Sequence, residues 1–436
     1  MRGAWIRRYG RALTLGLAVV VLGLLAGAAG SGDMDRLLLH AESLDGTVLA
    51  SQGADTLFNP ASVIKVGTSL WALERLGPEH RYETIFGIRG TLDSRSGVVT
   101  GDLVVVGGAD PDLQAENVIL VARELNRLGA RQVRGDIVVC GSLMVGWEHG
   151  VAGRLEEPEQ RAEMMAGRLR TALDPARWDQ STRAAWQAMC ARRGWDAEAP
   201  PAVTVTGGPR LERLGSLTPM VRHRSNPLPE LLKRFNTYSN NDIIRVADDL
   251  GGVARLEAFL RQRLSAPAEE LQLETASGEE RNRITPRLVV RLMRAFVRSA
   301  AALGLQPEDL LPVPGCDPGP LGRMFPGLAS GRFAGAVACK SGTLRSQDGE
   351  VAALAGVFAS TEHPTVLFCV AVPRAGSSLR HWRRIEQSWL QALLDRAKAV
   401  RPEGCTAGPV FSDTDALVEQ ITPVEPVLGV APAAQP

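Results

Sequence analysis

Lysine is scarce in this chain of 436 residues. It occurs only as Lys65, Lys233, Lys340 and Lys398, so 49 − 4 = 45 of the Lys and Arg residues are arginine. Arginine keeps its proton throughout the physiological range, whereas a lysine moved out of water can lose it. Genomic base composition can also produce such a bias, yet a site that needs an amine base cannot accept arginine, so each retained lysine is informative. An excess of charge of one sign is also missing: the formal net charge is +1 and no basic cluster stands out. That excludes the electrostatic footprint of a nucleic-acid partner. The six histidines (His40, His80, His149, His223, His363 and His381) form no H-x-x-x-H or Cys/His cluster, so no metal site is expected. The six cysteines (Cys140, Cys190, Cys316, Cys339, Cys369 and Cys405) lack framework spacing and read as small buried hydrophobes with room for one bridge.

Only one apolar run is long. Arg2, Arg7, Arg8 and Arg11 precede "ALTLGLAVVVLGLLAG", which ends in "AGAAG". This reads as an export signal cleaved near Ala28, with an uncleaved N-terminal anchor as the alternative. Either outcome puts the folded part in a periplasmic or other extracytoplasmic space, touching a membrane only through that segment. The remainder is globular in composition and long enough for two or three domains. Asp45-Gly46 between two short apolar runs predicts a hairpin. "NPASVIKVGTSLWALERLGP" predicts a helix with Asn59 as N-cap, Pro60 in the first turn, Gly77-Pro78 as the stop, and one buried face through Val63, Val66, Leu70 and Leu73. Residues 82–210 read as an inserted smaller α/β module whose part from 141 onward resists assignment. Residues 31–81 and 211–400 read as one discontinuous domain, and 401–436 as a poorly ordered tail. Three strand-like runs, "AGAVACKSGTL", "EVAALAGVFAST" and "PTVLFCVAVP", predict an antiparallel meander. The helix after them would lay Trp382, Ile385, Trp389 and Leu393 across that sheet.

Ser62 precedes Lys65 by three residues, so on a helix the two side chains share a face. A neutral Lys65 could take the hydroxyl proton and make Ser62 a nucleophile. At a helix start the Ser62 N–H has no intrahelical acceptor and can face a developing oxyanion. Alone, Ser-x-x-Lys recurs by chance. Two further elements decide its reading. "NTYSNNDIIR" offers Ser239, able to relay a proton to a leaving amine, and Asn241, able to bind a substrate amide. "ACKSGTL" offers Lys340 as a cation beside Ser239, Gly342 for close approach of a substrate backbone, and the Thr343 N–H as second oxyanion donor. Each alone is an ordinary cap, turn or strand end; all three in this order are not. The set Ser-x-x-Lys, Ser-x-Asn and Lys-Ser/Thr-Gly is that of penicillin-binding proteins and class A β-lactamases.

With "FNPASVIKVGTSLWAL", "GDLVVVGGADPDL", "LKRFNTYSNNDIIR", "TASGEERNRITPR", "LPVPGCDPG" and "CKSGTL", the chain resembles the D-alanyl-D-alanine carboxypeptidase/endopeptidase family, the low-molecular-mass class C penicillin-binding proteins. The resemblance implies a penicillin-recognising serine transferase fold, in which a five-stranded antiparallel sheet is flanked by helices. It implies Ser62 as acylated nucleophile, Lys65 as base and Ser239 in the proton relay. Asn241, Lys340, Ser341, Gly342 and Thr343 would contact substrate, with the Ser62 and Thr343 N–H groups as oxyanion hole. Peptidoglycan stem peptides are the implied substrate and β-lactams the implied inhibitors, without a cofactor. Ser341 stands where threonine is usual and keeps the hydroxyl; Glu279 stands where an apolar residue is common. A β-lactamase would share the three motifs but not the long insertion, and a wall-binding pseudoenzyme would not need Lys65 and Lys340.

Overall fold

The structure, a computed structural model, describes residues 31–150, 155, 157–345, 350–401 and 417–421. The export segment expected over residues 1–30 lies outside them, as does most of the expected tail. Among the described residues no helix is long and apolar enough to cross a membrane. In chain order the strands are β1 (Leu38–Ser43), β2 (Val48–Gln52), β3 (Glu83–Asp93), β4 (Val98–Gly108), β5 (Gln132–Val133), β6 (Ile137–Ser142), β7 (Thr204–Val205), β8 (Pro209–Leu211), β9 (Thr218–Arg224), β10 (Leu271–Gln272), β11 (Arg283–Ile284), β12 (Ala338–Leu344), β13 (Val351–Ser360), β14 (Val366–Pro373), β15 (Ala399–Val400) and β16 (Leu417–Gln420).

The described residues fall into two compact units, one within Met1–Pro78 and Leu228–Val410, the other within Glu79–Pro227 and Phe411–Pro436. In the first, the strands run antiparallel in the order β12-β13-β14-β1-β2, with the short β15 alongside β13. Gly46 takes φ +96° in the tight connection between β1 and β2, the conformation for which glycine has no steric cost. The closing helix Leu379–Arg396 lays Trp382, Ile385, Trp389 and Leu393 on one sheet face, against Leu354, Phe368 and Val370. On the sheet's other side the helix Pro286–Ala302 packs on β14 and on the helix Lys65–Leu76. That second helix departs from the sequence expectation. It is buried on all sides from Lys65 to Leu73, because helices Leu228–Tyr238 and Val253–Leu264 cover the face that the periodicity left open. A Cβ at Gly67 would lie 2.8 Å from Leu260 Cδ1, so a larger residue there would have to push that side chain aside.

The second unit is a mixed sheet in the order β16-β9-β3-β4-β5-β7, with β6 and β8 joined to β4 through parallel pairings. Its end lies beyond the expected residue 210 because β9 pairs antiparallel with β3. The segment that resisted assignment supplies helices Pro158–Leu173 and Gln180–Arg193, and Trp178 and Trp186 anchor a small apolar cluster with Met189 and Cys190. The stretch expected as tail contributes β16, which pairs with the outer edge of β9 and so satisfies backbone groups that would otherwise be exposed there.

Candidate active site

Ser62 lies in a 3-10 turn, Ala61–Ile64, that runs directly into the helix Lys65–Leu76. The expected α-helical start at Pro60 is therefore one tighter turn. Asn59 Oδ1 accepts the Ala61 N–H at 2.9 Å and Ala61 takes φ +46°, an unfavourable conformation for a residue with a Cβ. The turn is held from two sides by glycines. Gly278 has φ +91°, and a Cβ there would collide with the Ala61 carbonyl and come within 2.8 Å of Ser62 N. A Cβ at Gly342 would collide with Pro60 O and lie 3.2 Å from Ala61 Cβ. The close approach that Gly342 permits is thus that of the turn carrying Ser62.

Lys65 is fully buried, and its Nζ has three neighbours: Ser62 Oγ at 3.0 Å, Asn241 Oδ1 at 2.7 Å and the Ser277 carbonyl at 2.5 Å. Burial pushes its pKa well below the usual lysine range, helped by the charge of Lys340 and opposed by Glu279 and Asp242. A neutral amine has two N–H groups and one lone pair. Asn241 Oδ1 and the Ser277 carbonyl can only accept, so they take both hydrogens. In that neutral form the lone pair would face Ser62 Oγ, the one neighbour with a proton to donate. Thr68 Oγ1 donates to the Ala276 carbonyl at 2.7 Å, and Thr275 Oγ1 accepts from the Gly278 and Glu279 N–H groups, which holds the 275–279 loop over this helix.

The second cluster forms around Lys340, on β12, the strand at the edge of its sheet. Lys340 is 1% exposed and donates to Ser239 Oγ at 2.9 Å and to the Ser341 carbonyl at 2.8 Å. Burial lowers its pKa to about 7, with Arg383 acting in the same direction and Cys339 against it. Ser239 follows the helix Leu228–Tyr238 with φ +52°, and Asn240 Oδ1 then caps the next turn by accepting from Asp242 N at 2.9 Å. No hydrogen bond among the described residues links Ser239 to Ser62 or Lys65, so the motif residues meet as two groups. A cleft of about 280 Å³ opens beside the first group, lined by Ser62, Asn241, Gly278, Glu279, Glu280, Thr343, Leu344 and Arg345. Ser341 is buried within β12, opposite Leu354.

A larger cavity, about 420 Å³, adjoins Lys233 and contains none of these residues. Lys233 is a structural tie: its Nζ donates to the Glu308 and Leu311 carbonyls and pairs with Asp317 at 2.5 Å. Of the four lysines, two therefore fall in the candidate site, Lys233 fastens a loop and Lys398 is exposed. Sequence reasoning gave no role to the Ser277 carbonyl, to Gly278 or to Arg383, whose Nη2 reaches the Gly342 carbonyl at 2.6 Å. The glycine in "TASGEE" was the only local signal for any of them.

Residues 38–151 and 210–387 match the D-Ala-D-Ala carboxypeptidase 3 (S13) family. Over 96 residues the chain is 35% identical to a D-alanyl-D-alanine carboxypeptidase of Actinomadura sp. (strain R39), a match that spans 22% of this chain and 18% of that relative. Among solved structures the fold is similar to a predatory endopeptidase of Bdellovibrio bacteriovorus in complex with an immunity protein, with 21% identity, a TM-score of 0.72, and 87% of this chain and 98% of the other covered. A second Bdellovibrio endopeptidase, acylated by penicillin G, gives 18% identity, a TM-score of 0.70, and 88% and 98% coverage. Penicillin binding protein 4 of Haemophilus influenzae gives 20% identity, a TM-score of 0.56, and 81% and 96% coverage. These likenesses establish the penicillin-binding-protein fold, and with the match over both halves of the discontinuous domain the chain belongs to the D-Ala-D-Ala carboxypeptidase 3 (S13) family.

Proposed function

We propose that the protein is a serine DD-peptidase that cleaves the D-Ala-D-Ala bond of peptidoglycan stem peptides outside the cytoplasm, through an acyl-enzyme on Ser62, and that penicillins acylate the same serine. The observation that carries this reading is the environment of Lys65: fully buried, with two acceptors for its hydrogens and Ser62 Oγ at 3.0 Å for its lone pair.

The Ser62 hydroxyl gives its proton to Lys65 Nζ as Oγ bonds to the scissile carbonyl carbon, and the electron pair of the C=O moves onto oxygen. The N–H groups of Ser62 and Thr343 receive that oxyanion at the rim of the cleft. The C–N bond breaks as the amine nitrogen takes a proton from the Ser239 hydroxyl, and Lys340, donating to Ser239 Oγ at 2.9 Å, replenishes it. Lys65 passes the proton taken from Ser62 through water in the cleft to Lys340, and, neutral again, it takes a proton from the water that attacks the ester and returns it to Ser62 Oγ as the C–O bond breaks. Asn241, whose Oδ1 is committed to Lys65, has its Nδ2 as donor for a substrate carbonyl.

The test is labelling with a fluorescent penicillin alongside D-Ala release from a pentapeptide. Ser62→Ala should abolish both, and persistent labelling would put the nucleophile elsewhere. An adduct lasting minutes or longer fits a peptidase, whereas rapid turnover would mark a β-lactamase. Comparing D-Ala release with cleavage of cross-linked muropeptides separates carboxypeptidase from endopeptidase action.

A further inference from the structure

Arg383 lies on the closing helix, on the side of the sheet away from the nucleophile, and is 6% exposed. Its guanidinium bonds to both strands at one register position. Nη1 donates to the Ala353 carbonyl at 2.9 Å and to Glu386 Oε2 at 2.6 Å; Nη2 donates to the Gly342 carbonyl at 2.6 Å and to Thr343 Oγ1 at 2.5 Å. Gly342 and Ala353 face each other across the β12/β13 ladder. Glu386 is fully buried, and burial raises its pKa while Arg383 opposes that. A buried ion pair contributes little net stability compared with apolar residues of the same shape, so its presence in a core of Trp382, Phe368 and Trp389 calls for another reason.

The peptide group between Gly342 and Thr343 supplies one. The Gly342 carbonyl and the Thr343 N–H belong to a single planar trans unit, so they point in opposite directions. An anchor on the carbonyl oxygen therefore aims the N–H. A cationic donor on that oxygen also draws electron density through the amide and makes the N–H a stronger donor. We propose that Arg383, held by Glu386, is a positioning residue for the oxyanion hole: it fixes and polarises the Gly342–Thr343 peptide from behind, with the Thr343 hydroxyl as its second grip.

This rests on the proposed acylation of Ser62, so the experiment separates the two. In the wild type, penicillin labelling is mapped to Ser62; a label elsewhere sinks the functional reading itself. In Arg383→Met/Glu386→Gln, which removes the cation without leaving a buried carboxylate unpaired, acylation should slow about 10- to 100-fold. The affinity of a peptide boronic acid, whose tetrahedral adduct uses the same hole, should fall by a similar factor while KM for the pentapeptide stays within about threefold. Should that variant not fold, Arg383→Lys is used, because one ammonium cannot reproduce the forked contacts to both strands; acylation slowed about 3- to 30-fold is expected. A folded variant of either kind that acylates Ser62 within about twofold of wild type, or loses activity through KM alone, overturns the inference.

Discussion

Replacing Lys65 by arginine tests the proposed base directly, because it keeps the positive charge and the donors while removing the ability to deprotonate. The geometry sets the size of the effect. Lys65 Nζ lies 3.0 Å from Ser62 Oγ, within direct proton-transfer reach, and its other two partners use up the hydrogens of the neutral amine. Losing a positioned general base costs about 10²- to 10⁴-fold in rate, or about 3 to 5 kcal/mol of transition-state stabilisation. If Lys65 served only as a cation or a hydrogen-bonding strut, arginine would retain most of that. The assay is the second-order rate constant for acylation by a fluorescent penicillin, measured by stopped flow or timed gel labelling on protein whose melting curve shows a folded state. A folded Lys65→Arg variant that acylates within about tenfold of wild type would refute the assignment of Lys65 as base.

Three further outcomes follow from the same geometry. Neutralising Glu279, whose charge favours protonated Lys65, should lower the Lys65 pKa, so Glu279→Gln should move the acid limb of the acylation profile to lower pH; an upward shift would contradict the electrostatic picture. Gly278→Ala should block acylation and lower the melting temperature, because its Cβ would collide with the Ala61 carbonyl behind Ser62 at a φ of +91° that alanine disfavours. Lys340 has a folded pKa lowered to about 7, below the 10.5 of an unperturbed lysine, so between those values the unfolded chain binds more protons and stability rises with pH. From about pH 7 to about pH 9 this single group contributes roughly 2 kcal/mol, read as the difference in urea-unfolding stability that Lys340→Met removes. Wild type and variant changing in parallel over that range would show that Lys340 ionises normally.

Much of the first unit was legible because its signals are local. Asp45-Gly46 announced the β1/β2 connection, and the spacing of Trp382, Ile385, Trp389 and Leu393 announced a helix face against the sheet. The meander of β12, β13 and β14 followed from three apolar runs with turn-sized gaps. Ser62 and Lys65 could be paired because three residues on a helical start place them together. The Ser277 carbonyl could not be found this way: it lies 212 residues from Lys65 in sequence, and a carbonyl carries no residue-type signal. Arg383 was hidden for a different reason. It sits in an arginine-rich chain, on a helix whose apolar stripe drew attention to its neighbours, 41 residues from the carbonyl it holds. The segment after residue 140 resisted reading because its two helices carry weakly ordered polar and apolar positions, and its small strands pair in parallel with partners far along the chain.

By itself the sequence determined the reagents: a serine and a rare lysine three residues apart, a second serine with an asparagine two residues on, and a lysine on a strand. Residue type and spacing are enough to say which groups could exchange a proton. Only the tertiary structure decided which of them are placed to do so. A lysine's readiness to give up its proton depends on how much water the rest of the chain removes and on which acceptors remain. For Lys65 those are set by helices that cover it on every side and by a carbonyl from a distant loop.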